Sequence, residues 1–403
     1  MKENGRLFGG ALIIAGTTIG AGTLAIPIIS AQLGFFVSSV LMIAICALMT
    51  YTALITIEIN LYFGKGINIS SAAEAVLGKW GRGLSTFAFL LLFYALLSAY
   101  IAGGTSTIKE ILASYFNIQV TNILPEVLFT VILGGFVFSC TQAVDHLNRF
   151  LFVIKTVFFV TLVGLILPAL SWVNLATKPY EVGAVWAVIA VFVTSFGFHG
   201  SMPSVIDYVG LNPKRLVRVL MIGSFIPLAF YIVWECVSLG SLPLVGEYSF
   251  QKVYDSGNDV GVFINQLNLI NGGMTINWAT NGFATLAITT SFLGVAIGVL
   301  DFFAQKANLP NTMKGRAIAA LLTFLIPFIF AIFYPQGFVI ALTYAGLALT
   351  IIAVIMPSLI ALKIRKRPDY NPPYKAPGGK FMLILTFLIG CGIIVNEVVS
   401  MVM

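Results

Sequence analysis

Two interrupted apolar stretches decide the fold of this chain. Residues 16–27 read GTTIGAGTLAIP, and residues 194–203 read TSFGFHGSMP. Each stretch contains a pair of hydroxyl residues, then two glycines two or three positions apart, and then a further hydroxyl residue and a proline. Inside a helix, glycine costs about 1 kcal/mol relative to alanine, and proline about 3 kcal/mol. We therefore expect both stretches to unwind in the middle of a helix.

The chain as a whole is too apolar for a water-soluble globule. Of its 403 residues, 59% are apolar and 9% are charged, whereas soluble domains average roughly 45–50% and about 25%. The 38 glycines follow no collagen repeat, and there is no Ser, Gln or Pro tract that would indicate disorder. The composition therefore indicates an integral membrane protein.

Eleven apolar runs are candidate membrane spans, most of them close to the roughly 20 residues that a spanning helix needs. The alternating pattern of a β-barrel is absent, so we predict helices. The runs cover residues 7–30, 35–61, 84–112, 127–140, 150–170, 184–209, 219–239, 278–303, 317–334, 338–362 and 381–401.

Positive charges on the loops between these runs indicate the topology. With the N-terminus inside, nineteen of the 22 Lys and Arg residues fall on the inner side, and only Lys109, Lys178 and Lys252 fall outside. This asymmetry predicts a cytoplasmic N-terminus and a C-terminus on the outer side. It also explains the net charge of +7, so no nucleic-acid partner is expected.

The two interrupted stretches fall in the first and sixth runs, which are five apart. Spans one to five and six to ten are therefore predicted to form two repeats, about 7–170 and about 184–362, followed by an extra helix at about 381–401. Because five is odd, the second repeat is inverted in the membrane. Paired interruptions at corresponding positions are typical of transporter binding sites, although transmembrane helices also use glycine and proline for close packing.

Unwound backbone supplies polar groups at membrane depth. The half-helix before a break presents carbonyl groups with a partial negative charge, and the half-helix after it presents N–H groups with a partial positive charge. Two such breaks that face each other fit the ammonium and carboxylate groups of an α-amino acid without burying a charged side chain.

The same segments resemble those of a known family. Residues 15–22 (AGTTIGAG) and 194–204 (TSFGFHGSMPS), together with 148–152 (NRFLF) and 287–296 (AITTSFLGVA), are similar to signature segments of the bacterial hydroxy/aromatic amino acid permeases. The similarity runs across nearly the whole chain, and within the family it is greatest to the tyrosine-specific members.

The resemblance implies an all-α integral membrane protein with eleven transmembrane helices. It also implies the five-plus-five inverted-repeat (LeuT-type) fold of the amino acid/polyamine superfamily, with discontinuous helices 1 and 6 and one extra C-terminal helix.

The implied function is secondary active import of an aromatic amino acid, most simply L-tyrosine, by proton symport and alternating access across the bacterial inner membrane. The partners are then the substrate, H⁺ and lipid, with no cofactor, metal or obligatory protein partner. Tryptophan, phenylalanine or another neutral amino acid as substrate, and sodium as the coupling ion, are the alternatives.

We expect the substrate to bind at the two breaks, beside aromatic rings of the third and sixth spans. In a chain with 13% aromatic residues, however, rings line any cavity. An unperturbed imidazole titrates near pH 6.5, so substrate binding, proton sensing and hydrogen bonding to the unwound backbone are all open roles for the histidine in the second break. The candidates are Thr17, Thr18, Ile19, Gly20, Ala21, Gly22, Tyr94, Tyr100, Phe196, Gly197, Phe198, His199 and Gly200.

Lys155 is the first candidate for proton coupling. It lies about seven residues into the fifth span, or roughly 10 Å deep, where an ammonium group is costly and indicates function. In proton-coupled relatives a lysine on the fifth helix occupies the position of a sodium ion, and Lys155 resembles it; the hydroxyls of Thr289, Thr290 and Ser291 correspond to the other side of that site. A lysine whose amine extends to the inner surface is the alternative.

Most of the other acidic residues in the spans have simpler interpretations. Glu58, Asp207 and Asp301 lie near inner ends, where the facing basic loops are expected to pair with them. Glu235 is therefore the second candidate for proton traffic.

Two other function classes are less consistent with the sequence. An intramembrane enzyme built on Ser201, His199 and Asp207 has no G-x-S-x-G elbow, and the spacing places these residues on different faces of a helix. A channel would need a carbonyl-filter motif, which the sequence does not contain.

Overall fold

A computed structural model describes residues 3–64, 67–139, 141–177, 179, 184–306, 310 and 312–402. These residues form helices and connecting loops, without strands in the described part of the chain. The helices are α1 (Glu3–Thr18), α2 (Gly22–Ser30), α3 (Phe35–Phe63), α4 (Ile69–Phe116), α5 (Leu124–Ser139), α6 (Thr141–Ile166), α7 (Trp172–Ala176), α8 (Ala184–Ser195), α9 (Met202–Val209), α10 (Pro213–Ser241), α11 (Phe250–Asp255), α12 (Val260–Asn271), α13 (Met274–Lys306), α14 (Met313–Phe333), α15 (Phe338–Leu349), α16 (Met356–Ile364) and α17 (Gly379–Val402).

Both predicted interruptions are confirmed. The first span breaks between Thr18 and Gly22, where the axes of α1 and α2 are bent by 59°. The sixth span breaks after Ser195, continues through a 3₁₀ turn and resumes as α9. Pro27 lies inside α2 rather than at the break, so the glycines and not this proline mark the point of unwinding.

The number of spans is close to the predicted eleven but does not reach it. In the described residues, nine helices are long and apolar enough to cross a membrane, and the bent pair α1 and α2 makes ten. The predicted fourth span corresponds to α5, which is apolar but has only 16 residues; its last predicted residue, Cys140, lies outside the described residues. The chain is a multi-pass membrane protein, and the count of eleven is not confirmed.

Helix α4 is much longer than the predicted third span because a short helix precedes it. Gly78 divides the two parts and adopts a positive φ of 70°, a conformation that glycine adopts without steric cost. Before Gly78, Ala72 and Ala73 are buried against Ile360 and Ile364 of α16. The first part of α4 is thereby held against the end of the tenth span.

The packing of the spans shows a two-fold pattern. The third span (α4) packs against the tenth (α15 and α16), and the fifth (α6) packs against the eighth (α13). The first (α1) packs against the seventh (α10), and the second (α3) against the sixth (α8 and α9). A shift of five in the span numbers converts the pair 3 and 10 into the pair 8 and 5, and the pair 1 and 7 into the pair 6 and 2. Two five-span repeats are expected to give this relation.

The depth of burial separates central spans from those that face lipid. In the tenth span 83% of the most apolar window is buried, whereas α14 has only 22% buried. The exposed apolar side chains on α14, such as Leu321 and Leu325, form the kind of apolar surface that faces the hydrocarbon core of a bilayer.

Segments that the charge pattern places towards the same side contact each other. On the predicted inner side, the Arg367 guanidinium donates to the carbonyl oxygen of Ala75 at 3.0 Å. On the predicted outer side, the Ser106 hydroxyl donates to Asp259 at 2.5 Å. Three of the counted cations, Lys2, Lys65 and Lys178, lie outside the described residues.

Glu58, near the end of α3, is paired as predicted. Its buried carboxylate accepts two hydrogen bonds from Arg365, at 2.7 and 2.6 Å, one from the Tyr370 hydroxyl at 2.6 Å and one from the backbone N–H of Ala376 at 2.7 Å. Burial, reinforced by this carboxylate, raises the pKa of Tyr370, so the phenol stays protonated as a donor. The segment before α17 is therefore fastened to α3.

Candidate functional site

The first break lies at the centre of the molecule, and side chains from three other helices hold its freed backbone groups. The carbonyl of Thr18 accepts from Tyr231 at 2.6 Å, and that of Ile19 accepts from Lys155 Nζ at 2.8 Å. The N–H of Ala21 donates to Ser291 Oγ at 2.8 Å. Buried backbone at membrane depth needs such partners, and here they come from α10, α6 and α13.

Lys155 extends into the protein and not towards the inner surface. Its side chain is 2% exposed, and Nζ donates to Thr290 Oγ1 at 3.2 Å as well as to Ile19. Nζ also lies 4.9 Å from the centre of the Phe152 ring. In the described part of the chain no carboxylate pairs with it, so the amine is held by a carbonyl, a hydroxyl and a ring.

The three hydroxyl residues of the eighth span have different positions. Thr290 contacts Lys155, whereas Ser291 accepts from the N–H at the start of α2 and donates to the carbonyl of Ala287 at 2.8 Å. Thr289 is half-buried. The predicted grouping of Lys155 with the eighth span is thus a direct contact through Thr290.

The second break packs directly on the first. A Cβ added to Gly22 would lie 2.8 Å from Ser195 Oγ and would displace this hydroxyl from its bond to the carbonyl of Val191, so glycine suits the close approach of α2 and α8. One added to Gly197 would lie 2.8 Å from a methyl group of Leu349. The Phe196 ring, fully buried, meets the Tyr231 ring edge-on at 5.4 Å.

Tyr231 on α10 is the residue of this site that the sequence did not indicate. Its hydroxyl lies 2.6 Å from the carbonyl oxygen of Thr18 and 3.1 Å from that of Ser195, the last residues of α1 and α8. Since a phenol has one hydrogen, it donates to one carbonyl at a time. One turn further along α10, Trp234 donates to the carbonyl of Thr23 at 2.9 Å. A tyrosine in an apolar span carries no sequence signal that separates it from a packing residue.

His199 is placed between the second break and α3. Its ring stacks on Phe198, with centroids 5.3 Å apart, and Nε2 lies 2.8 Å from Thr52 Oγ1. Nδ1 is buried without a partner in the described part of the chain. The residue borders a cavity of about 70 Å³ that Thr56 and Asn60 also line; this volume holds a few water molecules but not an aromatic amino acid.

The other candidates divide between the site and its surroundings. Tyr100 is buried and faces Ser291, which brings it close to the first break. Tyr94 donates to the carbonyl of Leu322 at 2.9 Å and stacks on Phe303, so the structure does not bring it to the breaks. Six residues separate the two tyrosines, which places them about 120° apart around the helix.

Three candidates at the edges of the breaks make fewer contacts. Thr17 is exposed, and its hydroxyl donates back to the carbonyl of Ile13 at 2.8 Å. Thr18 is buried, and its hydroxyl donates back to the carbonyl of Ile14 at 2.7 Å. Gly200 has open space where a Cβ would lie.

Glu235 is buried on α10 but contacts the start of α3 rather than the first break. Its Oε2 accepts from Ser39 Oγ at 3.2 Å. The two ionisable candidates, Lys155 and Glu235, therefore lie in separate environments.

Comparison with known proteins places this geometry in context. The chain is 37% identical to tyrosine-specific transport system 1 of Haemophilus influenzae, covering 95% of this chain and 94% of the relative. It is 34% identical to the tryptophan-specific transport protein of the same organism, and the match covers 98% of this chain and 96% of that relative. Both relatives are transport proteins, so the chain is a transporter and not an enzyme.

The fold also matches that of a solved transporter. The structure of MhsT in complex with L-phenylalanine superposes with a TM-score of 0.63 at 16% identity, covering 97% of this chain and 98% of MhsT. The likeness confirms the LeuT-type fold.

The model of the tryptophan/tyrosine permease family matches residues 3–397. Nearly the whole chain is included in this match, as are both breaks and the Lys155 contact. The chain therefore belongs to the tryptophan/tyrosine permease family.

Proposed function

We propose that the chain imports L-tyrosine across the bacterial inner membrane by proton symport, with its N-terminus in the cytoplasm and its C-terminus on the outer side. The observation that carries this proposal is the contact of Lys155 with the carbonyl of Ile19 inside the first break. It links an ionisable group directly to the backbone that is available to a substrate. The family relatives named for tyrosine and tryptophan transport support the substrate class.

The substrate is held by the backbone of the two breaks. Its carboxylate binds at the N-terminal end of α2, where Ser291 now accepts the N–H of Ala21 and where the helix presents positive partial charge. Its ammonium binds the carbonyls at the ends of α1 and α8, which the Tyr231 hydroxyl now satisfies. Binding therefore exchanges internal hydrogen bonds for bonds to the zwitterion.

The aromatic ring of the substrate packs against aromatic side chains near the breaks. Both Phe196, whose ring meets that of Tyr231, and Tyr100, which faces Ser291, are buried. Offset or edge-on ring contacts contribute about 0.5–1.5 kcal/mol beyond burial of area. Tyr94 is not included because its ring contacts α14 and α13 instead.

Lys155 couples the proton to the substrate. The protonated amine donates to the carbonyl of Ile19 and to Thr290 and so fixes the first break to α6 and α13. A neutral amine makes weaker hydrogen bonds than an ammonium group. Loss of the proton to the cytoplasm loosens the break, which then moves between outward and inward arrangements.

Counterflow in proteoliposomes tests the substrate. Vesicles loaded with unlabelled tyrosine take up labelled tyrosine, and tryptophan, phenylalanine, glutamine and other neutral amino acids are added outside as competitors. We expect tyrosine to compete best. Failure of tyrosine, tryptophan and phenylalanine to compete would show that the substrate is not aromatic.

Imposed gradients test the coupling ion. We expect an inward pH gradient to drive accumulation in sodium-free buffer, and Lys155→Ala to abolish accumulation while retaining part of the substrate binding. Lys252→Ala, which changes an exposed lysine on an outer helix, is the matched control and should behave as wild type. Accumulation that follows a sodium gradient instead would refute proton coupling through Lys155.

A further inference from the structure

Helix α10 carries a buried carboxyl group that the coupling scheme above does not use. Glu235 is 0% exposed. Its Oε2 accepts one hydrogen bond, from Ser39 at 3.2 Å, and its Oε1 has no partner in the described part of the chain. By contrast, the equally buried Glu58 accepts four hydrogen bonds, two of them from Arg365.

Among the residues that the structure describes, those that face this carboxyl from the neighbouring helices carry hydroxyl groups. Ser30, the last residue of α2, and Ser38, in the first turn of α3, point towards it together with Ser39. Within the described ranges, the hydroxyl of Ser30 is itself buried without a hydrogen-bond partner, and so is that of Ser238, one turn along α10.

No cation compensates the carboxyl within the described residues. No Lys, Arg or His on the helices that pack against α10, namely α1, α2, α3, α6, α7, α9 and α12, interacts with Glu235. The titratable side chain that does interact with it is the thiol of Cys236, the next residue. A buried carboxylate with neither cation nor sufficient donors is strongly disfavoured.

A protonated carboxyl resolves this arrangement. A carboxylic acid is neutral and donates one hydrogen bond while still accepting from Ser39. The unpartnered oxygens of Ser30 and Ser238 are acceptors of the kind that such a donor needs. The arrangement in which this carboxyl is buried is therefore one in which the site holds a proton.

The site lies near one end of the helix bundle. Glu235 is six residues before the end of α10, or about 9 Å along the axis. Ser30 and Ser38 flank the short connection between α2 and α3. Glu58 marks the opposite end of α3, about 30 Å away. In the orientation of the proposed function, on which this assignment rests, the carboxyl lies on the outer side.

We propose that Glu235, with Ser30, Ser38 and Ser39, is a proton-binding site that must be loaded from the outer solution before the outer side of the transporter closes. When the outer side opens, water reaches the carboxyl, and its proton leaves to the same side. When the outer side closes, the carboxylate takes up a proton from the outer solution and is buried as the acid. This proton is distinct from the one carried by Lys155 and is not transported.

Infrared difference spectroscopy tests the protonation itself, without substrate. Purified wild-type protein near neutral pH should show the C=O band of a buried carboxylic acid, and Glu235→Gln should lose it. Glu74→Gln, which changes a half-exposed glutamate paired with Arg82, should leave the band in place. The proposal would be overturned if the spectra of the wild type and of Glu235→Gln contain the same carboxylic-acid bands.

The dependence of counterflow on the pH of each side tests the role of the site. With the inner pH fixed, the wild-type rate should fall about tenfold per unit of outer pH once the site no longer fills, as for a single proton. Glu235→Gln, whose amide is neutral at every pH, should lose the part of this outer dependence that the carboxyl causes, and should keep the part, and the accumulation, that depend on loading Lys155 from the outer side. Glu235→Asp should restore the outer dependence, which a merely structural role does not explain.

Three results would overturn this role for Glu235. One is an outer pH dependence that Glu235→Gln leaves unchanged, the second is a dependence on inner pH alone, and the third is replacement of the proton by outer sodium. Absence of tyrosine counterflow in the wild type would contradict the proposed function instead. The infrared test needs no substrate, so it still decides whether Glu235 binds a proton.

Discussion

The two breaks are built from nearly the same sequence pattern but offer different chemistry. At the first break, Tyr231, Lys155 and Ser291 hold the freed backbone groups from outside. At the second break, a 3₁₀ turn retains local hydrogen bonding, and the bulky side chains of Phe196, Phe198 and His199 fill the space. The first break therefore offers mainly backbone groups, whereas the second offers bulky side chains in addition to the carbonyl of Ser195.

This difference assigns separate tasks to the two breaks. Changes around the first should affect binding of the zwitterion and coupling to the proton. Changes in the second should affect the choice among aromatic substrates.

The largest effect is expected where the two breaks touch. Gly22→Ala introduces a Cβ 2.8 Å from Ser195 Oγ and 3.5 Å from the Ser195 backbone, and overpacking of this kind costs about 1–3 kcal/mol. We expect counterflow to be lost, because α2 and α8 are forced apart. Gly200→Ala, which meets nothing within 4 Å, should retain it; equal loss in both variants would mean that contact between the breaks is not required.

The second largest effect is expected when Tyr231 loses the hydroxyl that lies between the carbonyls of Thr18 and Ser195. Tyr231→Phe leaves the buried carbonyls of Thr18 and Ser195 without their partner, at a cost of about 1–3 kcal/mol. Thermal unfolding in detergent should shift down by several degrees, and the KM for the substrate should change. Tyr334→Phe, which alters an exposed tyrosine, should show neither effect. An unchanged Tyr231→Phe protein would indicate that water or another group replaces the phenol.

A selectivity change is expected from the second break. Phe196→Leu removes a ring that lies beside Tyr231 and makes room for a larger substrate. We expect the uptake ratio to shift towards tryptophan over tyrosine by about tenfold, with proton-driven accumulation retained. Phe250→Leu, an equally buried change on α11, should leave the ratio alone. Loss of coupling without a change of selectivity would reverse the assignment of tasks.

The smallest effect is expected when the hydrogen bond between Thr52 and His199 is removed. Thr52→Val keeps the shape of the side chain and removes the partner of Nε2, at a cost of about 1 kcal/mol. Unfolding temperature should fall slightly while the substrate preference stays the same. Thr156→Val, the same change at an exposed position on α6, is the control for the unfolding temperature. A large loss of transport would show that His199 has a direct role in transport.

The sequence was sufficient for the features that follow from local chemistry. Runs of apolar residues locate the helices, and clustered glycines locate the breaks, because unwinding depends on nearby residues. Lys155 stands out because an ammonium group inside a span is costly.

Features that depend on tertiary contact were not predictable in this way. Tyr231 matters because α10 carries its hydroxyl to two helix ends that are 36 and 213 residues away in the chain. Tyr94 and Tyr100 look equivalent in the sequence, and only helix rotation and packing separate them. The bend at Gly78 depends on a positive φ, which the presence of a glycine in the sequence does not reveal.

The hydrogen bonds of the Glu58 carboxylate have a consequence for the synthesis of the protein. Arg365 follows Glu58 by 307 residues, and Tyr370 and Ala376 come later still. During translation α3 therefore enters the membrane long before its carboxyl has any partner, and an unpaired buried charge costs several kcal/mol. The bundle is completed only when the last segment arrives. A chain that stops before residue 365 therefore lacks every one of these partners of a carboxyl in its second span.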